Sequence, residues 1–477
     1  MSNSKINLKR ISIMDLQKAM EENQITSYEI TVYYLSQIAK YDSIEAGLNS
    51  VLEVNPDALA MARMADVMRK EGKIKGPLHG VPVLIKDNIN TNDKMHTSAG
   101  SISLKDNYAT YDAHLIALLR EAGAVILGKA NLTEFANILT RGMRNGYSSR
   151  GGCVISPYGE AIDPLGSSTG SAVAVAADLC TVSIGTETFG SILSPAMVNG
   201  VVGIKPTLGM VSRHGIIPVA HSFDTAGPFG RTVMDAALLL DAITGFDEND
   251  PITYGAKKLD YQNLFNRTDL NGVRIGVNKS DIETLSPLNI KLKEDFLTTM
   301  KNNGAKIVEL DRIENPDILM TIVKYELKAD MNYYLSTTAN GILKSMKEII
   351  EFNESNAEIA LKYGQSLFLD SQNDSSGKYN EPDYIEALLK RENVIRQYDE
   401  MFEENNIDVF MPFVSKGISA LIGFPGLNLP IGYMEENVPV GAYLVGRPFE
   451  DSKLIDIAYV MEKIWDCMMV PSLDKKK

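Results

Sequence analysis

Gly166-Ser167-Ser168-Thr169-Gly170-Ser171 and Gly185-Thr186-Glu187-Thr188-Phe189-Gly190-Ser191-Ile192-Leu193-Ser194-Pro195 are two glycine-serine turns separated by a run of small and apolar residues. Turns that only punctuate a fold are usually flanked by polar loop residues. Here the first turn runs into Ala172-Val173-Ala174-Val175-Ala176-Ala177, so both are pinned to a buried element. The pattern predicts a helix that opens near Ser168 or Gly170, followed by a short strand over Thr181 to Gly185. A helix and a return strand bring the chain back to its starting level, which makes the two turns neighbours. The successive N–H groups of Thr188, Phe189, Gly190 and Ser191 can then form an anion-binding nest. Taken alone, such a turn is more often structural than catalytic. Hydroxyls held on rigid elements are nonetheless the first place to look for a nucleophile.

The rest of the composition narrows the class. The chain has 477 residues, 44% of them hydrophobic and 23% charged, which is ordinary for a globular protein with an extensive core. A net charge of −14 argues against binding nucleic acid or an anionic membrane, both of which need clustered Lys and Arg. Cys153, Cys180 and Cys467 are three cysteines without a C-x-x-C pair, so neither a disulfide framework nor a cysteine zinc site is expected. Met1 to Lys5 has no apolar signal region, and no apolar run reaches the length of a membrane span. A cytoplasmic location is expected, with earlier removal of a signal peptide left open.

Outward from the serine stretch the chain reads as α/β. Ser12 caps a helix with Asp15 at its third position, and Leu16, Met20, Tyr33, Ile38 and Tyr41 carry a helical rhythm through two helices broken near Asn23 to Ser27. Asn55-Pro56-Asp57 starts a third helix with Ala60, Met64 and Val67 on one face. These segments form a helical layer over residues 1–75. Val81-Pro82-Val83-Leu84-Ile85 reads as a buried strand that runs straight into Lys86. Asp112 to Glu121 reads as a helix and Ala124 to Gly128 as the next strand, a spacing that suggests parallel pairing. Met234 to Ile243 reads as a helix. From about 281 to 405 charges and helical periodicity dominate, which predicts a helical insertion shaping the pocket entrance. Core character returns over 406–470, and Lys475-Lys476-Lys477 reads as a solvated tail.

Five histidines, His79, His96, His114, His214 and His221, fall in no metal-ligand spacing, so no metal and no cofactor is expected. Phe189 stands where a G-x-S-x-G elbow around Ser191 would need glycine, which weakens a Ser-His-Asp reading. A serine nucleophile still needs a base, and the remaining candidate is Lys86. On pattern alone, a lysine at a strand end more often simply reaches solvent. Buried, it loses its charge preference, and a pKa lowered from about 10.4 toward roughly 7–8 makes it a base.

Lys86, Gly166-Ser167-Ser168 and Gly185 to Ile192 together resemble the amidase signature family in order and spacing. Val202-Gly203-Ile204-Lys205-Pro206-Thr207, Gly423-Phe424-Pro425 and Val445-Gly446-Arg447-Pro448 extend the likeness. Asn145 to Gly152, Ser168 to Ala177 and Ser222 to Pro228 are most similar to the peptide-amidase-like branch. The resemblance implies one domain over 1–477 with its catalytic core at 76–245. It implies a large, mixed, mostly parallel twisted β-sheet covered by helices on both faces. It places the nucleophile at Ser191, a bridging serine after a cis peptide at Ser167 and the base at Lys86, with an oxyanion hole from the backbone of Thr188, Phe189 and Gly190. It further implies substrate contacts at Ala136, Asn137, Arg141, Cys153, Phe189 and Leu193. The implied activity is metal-free hydrolysis of carboxamides, C-terminal peptide amides or bulkier apolar amides among them, by a monomer or homodimer. The alternative is the amidase component of a tRNA-dependent amidotransferase, acting only inside a complex.

Departures from the family pattern cluster. Leu165 stands where glycine is usual, Phe189 where this branch often has Asp, Leu193 where Arg is frequent and Cys153 where Gln is common, and Thr140-Arg141-Gly142 is atypical. Divergence toward a bulkier, more apolar substrate and engineering of a binding site both account for such a cluster.

Overall fold

The computed structural model describes residues 6–42, 47–259, 261, 264–280, 282–337, 340–415 and 417–473. The terminal lysine run and Met1 to Lys5 lie outside them. In chain order the strands are β1 (Val51–Val54), β2 (Pro82–Lys86), β3 (Val125–Ala130), β4 (Tyr147–Ser148), β5 (Gly152–Cys153), β6 (Val182–Glu187), β7 (Val202–Lys205), β8 (Thr225–Gly230), β9 (Arg274–Asn278), β10 (Lys306–Glu309), β11 (Val409–Pro412), β12 (Gly426–Tyr433) and β13 (Pro439–Val445). Eleven of them form one mixed sheet in the order β1-β3-β2-β6-β8-β7-β12-β13-β11-β9-β10, and β4 and β5 make a separate small hairpin. Parallel pairing occupies two wings, β3-β2-β6 and β11-β9-β10. The centre, from β6 through β13, is antiparallel. The helix-then-strand rhythm before residue 190 announces only the first wing. In the antiparallel centre, β7 runs to β8 and β12 to β13 without an intervening α-helix, so that rhythm is absent within each pair.

Both faces of the sheet are buried, and the side-chain alternation of β2 shows how. Val83 and Ile85 join the core cluster containing the Val233–Ile243 and Asp451–Trp465 helices. Leu84 joins the opposite cluster, with the Thr169–Ala176 helix. A period of two along the strand then turns Lys86 toward the same side as Leu84, under the helix that follows the serine turn. That helix carries no amphipathic stripe: every residue from Thr169 to Ala176 is buried, as expected of a helix enclosed on all sides. Gly170 is what lets it sit so close, because an added Cβ there would overlap the carbonyl oxygens of Asn131 and Ser50.

The N-terminal helices form at Ile13–Glu21 and Ser27–Tyr41. Ser12 Oγ accepts from Asp15 N at 3.1 Å, and Thr26 with Glu29 completes a capping box. The third helix, Ala58–Lys70, presents a different face from the one its large residues suggest. Met64 and Val67 are 60% and 48% exposed, and Ala58, Ala62 and Ala65 are buried. Alanines face inward because this helix packs closely on its neighbour and on the sheet edge. The segment from 282 to 404 holds the Pro287–Asn302, Leu319–Thr337, Met346–Ser355, Ser366–Asp374 and Pro382–Glu404 helices. It also contributes β10, which extends the sheet edge by parallel pairing with β9, so it is not wholly helical. No helix among the described residues is long and apolar enough to cross a membrane.

Candidate active site

Lys86 is the last residue of β2 and is fully buried. Its Nζ lies 2.8 Å from Ser167 Oγ, 2.9 Å from Ser168 Oγ, 2.8 Å from Thr186 Oγ1 and 3.3 Å from Thr186 O. Among the described residues, no carboxylate is paired with it. Burial lowers its pKa to about 7, and the charges of Asp224 and Glu187, which pull the other way, offset only part of that effect. The neighbours offer a neutral amine a consistent orientation. Ser168 Oγ donates to Thr186 O at 2.9 Å, so it can only accept from Lys86. Thr186 Oγ1 accepts from Asn88 Nδ2 at 3.0 Å and takes a second donor from Lys86. A neutral amine that donates its two N–H groups to these oxygens has its lone pair free for the Ser167 hydroxyl.

Ser167 follows a cis peptide at Gly166–Ser167. Its carbonyl accepts from Thr133 N at 3.0 Å, and Ser168 N donates to Ser191 O at 3.2 Å. The second bond ties the first serine turn to the second. Ser191 keeps 8% of its surface open, while Ser167, Ser168 and Lys86 keep none, so of these four Ser191 is the one a substrate can reach.

The turn before Ser191 is shaped by glycine and by two carboxylates. Gly190 has φ +84°, the left-handed region that costs glycine nothing. Among the described residues, the backbone N–H groups of Thr188, Phe189, Gly190 and Ser191 donate to no protein acceptor. Glu187, at the end of β6, accepts from Ile192 N at 2.7 Å and Leu193 N at 3.0 Å through Oε2. It thereby caps the short Leu193–Val198 helix and closes the turn behind the nucleophile position. Asp224 accepts from Thr188 Oγ1 at 2.6 Å and from the N–H groups of Val219 and Ala220 at 2.8 and 3.0 Å. Burial raises its carboxyl to about 6, against the pull of those hydrogen bonds.

A cavity of about 180 Å³ opens beside this array, with Thr186, Thr188, Asn88, Ala136 and Asp224 in its wall. Ala136 belongs to a strained loop: Phe135, Ala136 and Asn137 have φ of +47°, +53° and +70°. Three consecutive non-glycine residues in the left-handed region cost roughly 1–2 kcal/mol each. Burial of the Phe135 ring against Phe368, 4.9 Å away, holds them there. The other residues expected to touch substrate lie elsewhere. Asn137 is exposed. Arg141 points outward and pairs with Asp370 at 2.6 Å, because the insertion supplies a carboxylate that the local sequence does not announce. Cys153 sits in β5 opposite Tyr147, and Leu193 is buried toward Gly426. Phe189 lies over Gly417 and walls a second cavity with Ile418 and Leu421.

Sequence reasoning missed the roles of Thr186, Asn88 and Glu187. Thr186 and Glu187 lie inside the quoted motif, and Asn88 sits two residues after Lys86, so proximity was an available signal. It also missed His221, Glu326 and Asp330, whose potential ligand atoms lie within 4.8 Å of one another; His221 and Asp330 line the cavity. Glu326 and Asp330 come from the insertion, over a hundred residues away in sequence. These groups bind one another: Asp330 accepts from His221 N and Tyr379 Oη, and Glu326 accepts from Ser222 and Tyr384.

Residues 29–416 match the Amidase family. The chain belongs to the amidase signature family. It is 36% identical over 479 residues to a probable amidase of Arabidopsis thaliana, covering 96% of this chain and 91% of that protein. Its structure superposes on native peptide amidase from Stenotrophomonas maltophilia with a TM-score of 0.92 at 37% identity, covering 97% and 99% of the two chains. It is also 31% identical over 490 residues to a glutamyl-tRNA(Gln) amidotransferase component of Azorhizobium caulinodans, covering 96% and 97%. The amidase signature chain is thus an amide-hydrolysing enzyme of the peptide-amidase-like branch.

Proposed function

We propose that this amidase is a metal-independent serine amidohydrolase that opens carboxamides through an acyl-enzyme on Ser191. The observation that carries the reading is a fully buried lysine, without a carboxylate partner among the described residues, whose Nζ lies 2.8 Å from Ser167 Oγ. With its pKa lowered to about 7, a lysine so placed is uncharged in a large fraction of molecules at neutral pH and is available as a base. Neutral Lys86 takes the Ser167 proton as Ser167 takes the proton of Ser191. Ser191 Oγ attacks the amide carbon, and the carbonyl oxygen gathers charge against the unfilled N–H groups of Thr188 to Ser191. Run backwards, the relay protonates the leaving nitrogen as the C–N bond breaks. Water then attacks the ester, the same relay removes its proton, and the carboxylic acid leaves. No step requires a metal.

The substrates are unsubstituted amides, with C-terminal peptide amides the class suggested by the likeness to peptide amidase. The likeness to the amidotransferase component carries a second reading, in which activity appears only inside a complex. The purified chain, assayed alone on small primary amides beside Ser191→Ala, tests both. Turnover by the wild type and none by a folded Ser191→Ala supports the first. Turnover that survives in Ser191→Ala sinks the nucleophile assignment.

A further inference from the structure

The cavity beside Thr186 and Thr188 carries more than the reaction needs. Three carboxylates, Asp224, Asp250 and Asp330, stand in its wall against one arginine, Arg213. Arg213 is committed: its Nε donates to Asp250 at 2.9 Å, and its Nη1 donates to the carbonyl of His221. That pair cancels Asp250. His214, on the same wall, faces Asp247 at 3.7 Å and adds no net positive charge. Asp224 and Asp330 remain, and fully buried Glu326 stands directly behind His221. His221 lies between Asp330 and Glu326, with Nδ1 2.9 Å from one and Nε2 3.4 Å from the other. Even as a cation it offsets only one of the two, so the cavity keeps an excess of negative charge.

Ile216, Ile217, Pro218 and Val219 give the cavity an apolar wall, and three tyrosines join it. Tyr111, Tyr333 and Tyr334 face the same space, and Tyr333 is 71% exposed. Aromatic faces attract cations through their ring quadrupole, and apolar walls strengthen the field of nearby charges. Carboxylates that already hold internal hydrogen bonds act here as a fixed field rather than as individual ligands.

We propose that this cavity selects amides whose acyl portion carries a positive charge on an apolar stem, an ammonium above all. The inference rests on the amidohydrolase reading and names the substrate class of that same site. The carbonyl carbon sits at the Ser191 turn, and the cation reaches past Thr188 toward Asp330 and the tyrosines. Asp330 and Tyr333 come from the Leu319–Thr337 helix of the insertion, so the insertion contributes to the selectivity.

The test compares kcat/KM for three matched amides: N-acetyl-lysine amide, N-acetyl-norleucine amide and N-acetyl-glutamate α-amide. The expected order is lysine, then norleucine, then glutamate, with at least tenfold between the first and last at low salt. The spread should narrow in 0.5 M salt, as a field effect requires. Asp330→Asn should shrink the lysine-to-norleucine ratio several-fold, a change that a loss of general fold would not produce. An order that places glutamate level with or above lysine overturns the inference while leaving the amidohydrolase reading standing. Should none of the three be hydrolysed, the amidohydrolase reading is what has failed. The charge preference is then read from binding of the same three amides to Ser191→Ala by calorimetry, where equal affinities overturn it.

Discussion

Replacing Lys86 with methionine, an unbranched side chain of similar length, separates the two consequences of burying a base. Lys86 keeps its proton in the unfolded chain up to about pH 10.5, whereas in the fold burial lowers its pKa to about 7. Below pH 7 both states are protonated, and folding carries the full cost of burying the charge, roughly 5 kcal/mol for a shift of this size. As pH rises from 7 toward 10.5 the unfolded state binds more protons than the folded one. Stability contributed by this residue therefore increases with pH, by about 2 kcal/mol between pH 7 and pH 9. Lys129, Lys205 and Lys293 also have lowered pKa values, each about 8. The difference between wild type and Lys86→Met cancels their contribution. Urea unfolding of both proteins at pH 7, 8 and 9 should show the wild type gaining about 2 kcal/mol on the variant. At pH 6 the variant should be no less stable than the wild type, although it has lost the polar contacts of Nζ. In parallel, wild-type kcat/KM should rise with pH through about 7, and Lys86→Met should lose 10²–10⁴-fold together with that rising limb. A stability difference that stays flat from pH 7 to 9 would refute the claim that the fold holds Lys86 neutral. A rising limb that survives in the variant would give the base to another residue.

Three further outcomes follow from the same geometry. Ser167→Ala and Lys86→Met should each cost about as much as the double variant, since the two groups act as one relay; losses that multiply in single-turnover acylation would break it. Asp224→Ala frees Thr188, whose hydroxyl it holds at 2.6 Å. It should lower kcat by roughly 10²-fold, the scale of a misplaced oxyanion donor, with a smaller change in KM; unchanged kcat in the folded variant would detach Asp224 from the nucleophile turn. Gly170→Ala should fail to accumulate as folded protein, because its Cβ meets backbone oxygens of Asn131 and Ser50 that no rotamer change can move; a wild-type melting temperature would contradict the close approach.

The approach of Lys86 to the serine turn was read from the sequence through the family resemblance, since pattern alone favours a strand-end lysine that reaches solvent; the structure supplies the local reason. Lys86 ends an apolar strand, and a period of two along that strand turns it toward the helix opened by Ser168. The substrate cavity was much less legible. Arg141 was expected to touch substrate, but it pairs with Asp370 of the insertion, and the cavity wall includes His221 and Asp330, with Glu326 buried behind them. Such contacts join residues more than a hundred positions apart through packing that no local periodicity encodes. The helix at Ala58–Lys70 makes the same point in miniature. Met64 and Val67 face solvent and Ala58, Ala62 and Ala65 face inward, because distance between elements, rather than hydrophobicity alone, decides which face is buried. The antiparallel centre of the sheet escaped for a related reason: β7 to β8 and β12 to β13 each run on without an intervening α-helix, and the whole helical insertion separates the two pairs in sequence, so alternation with helices gives no guide.

The central claim, a covalent acyl-enzyme on Ser191, is tested most directly by trapping. The enzyme is inactivated with an alkyl fluorophosphonate, and the modified peptide is mapped by mass spectrometry. The account predicts one adduct per chain, on Ser191, the one serine of the array with open surface, with loss of activity in proportion to labelling and no labelling of Ser191→Ala. An adduct on Ser167 or Ser168, or full activity retained by enzyme labelled at Ser191, would contradict it.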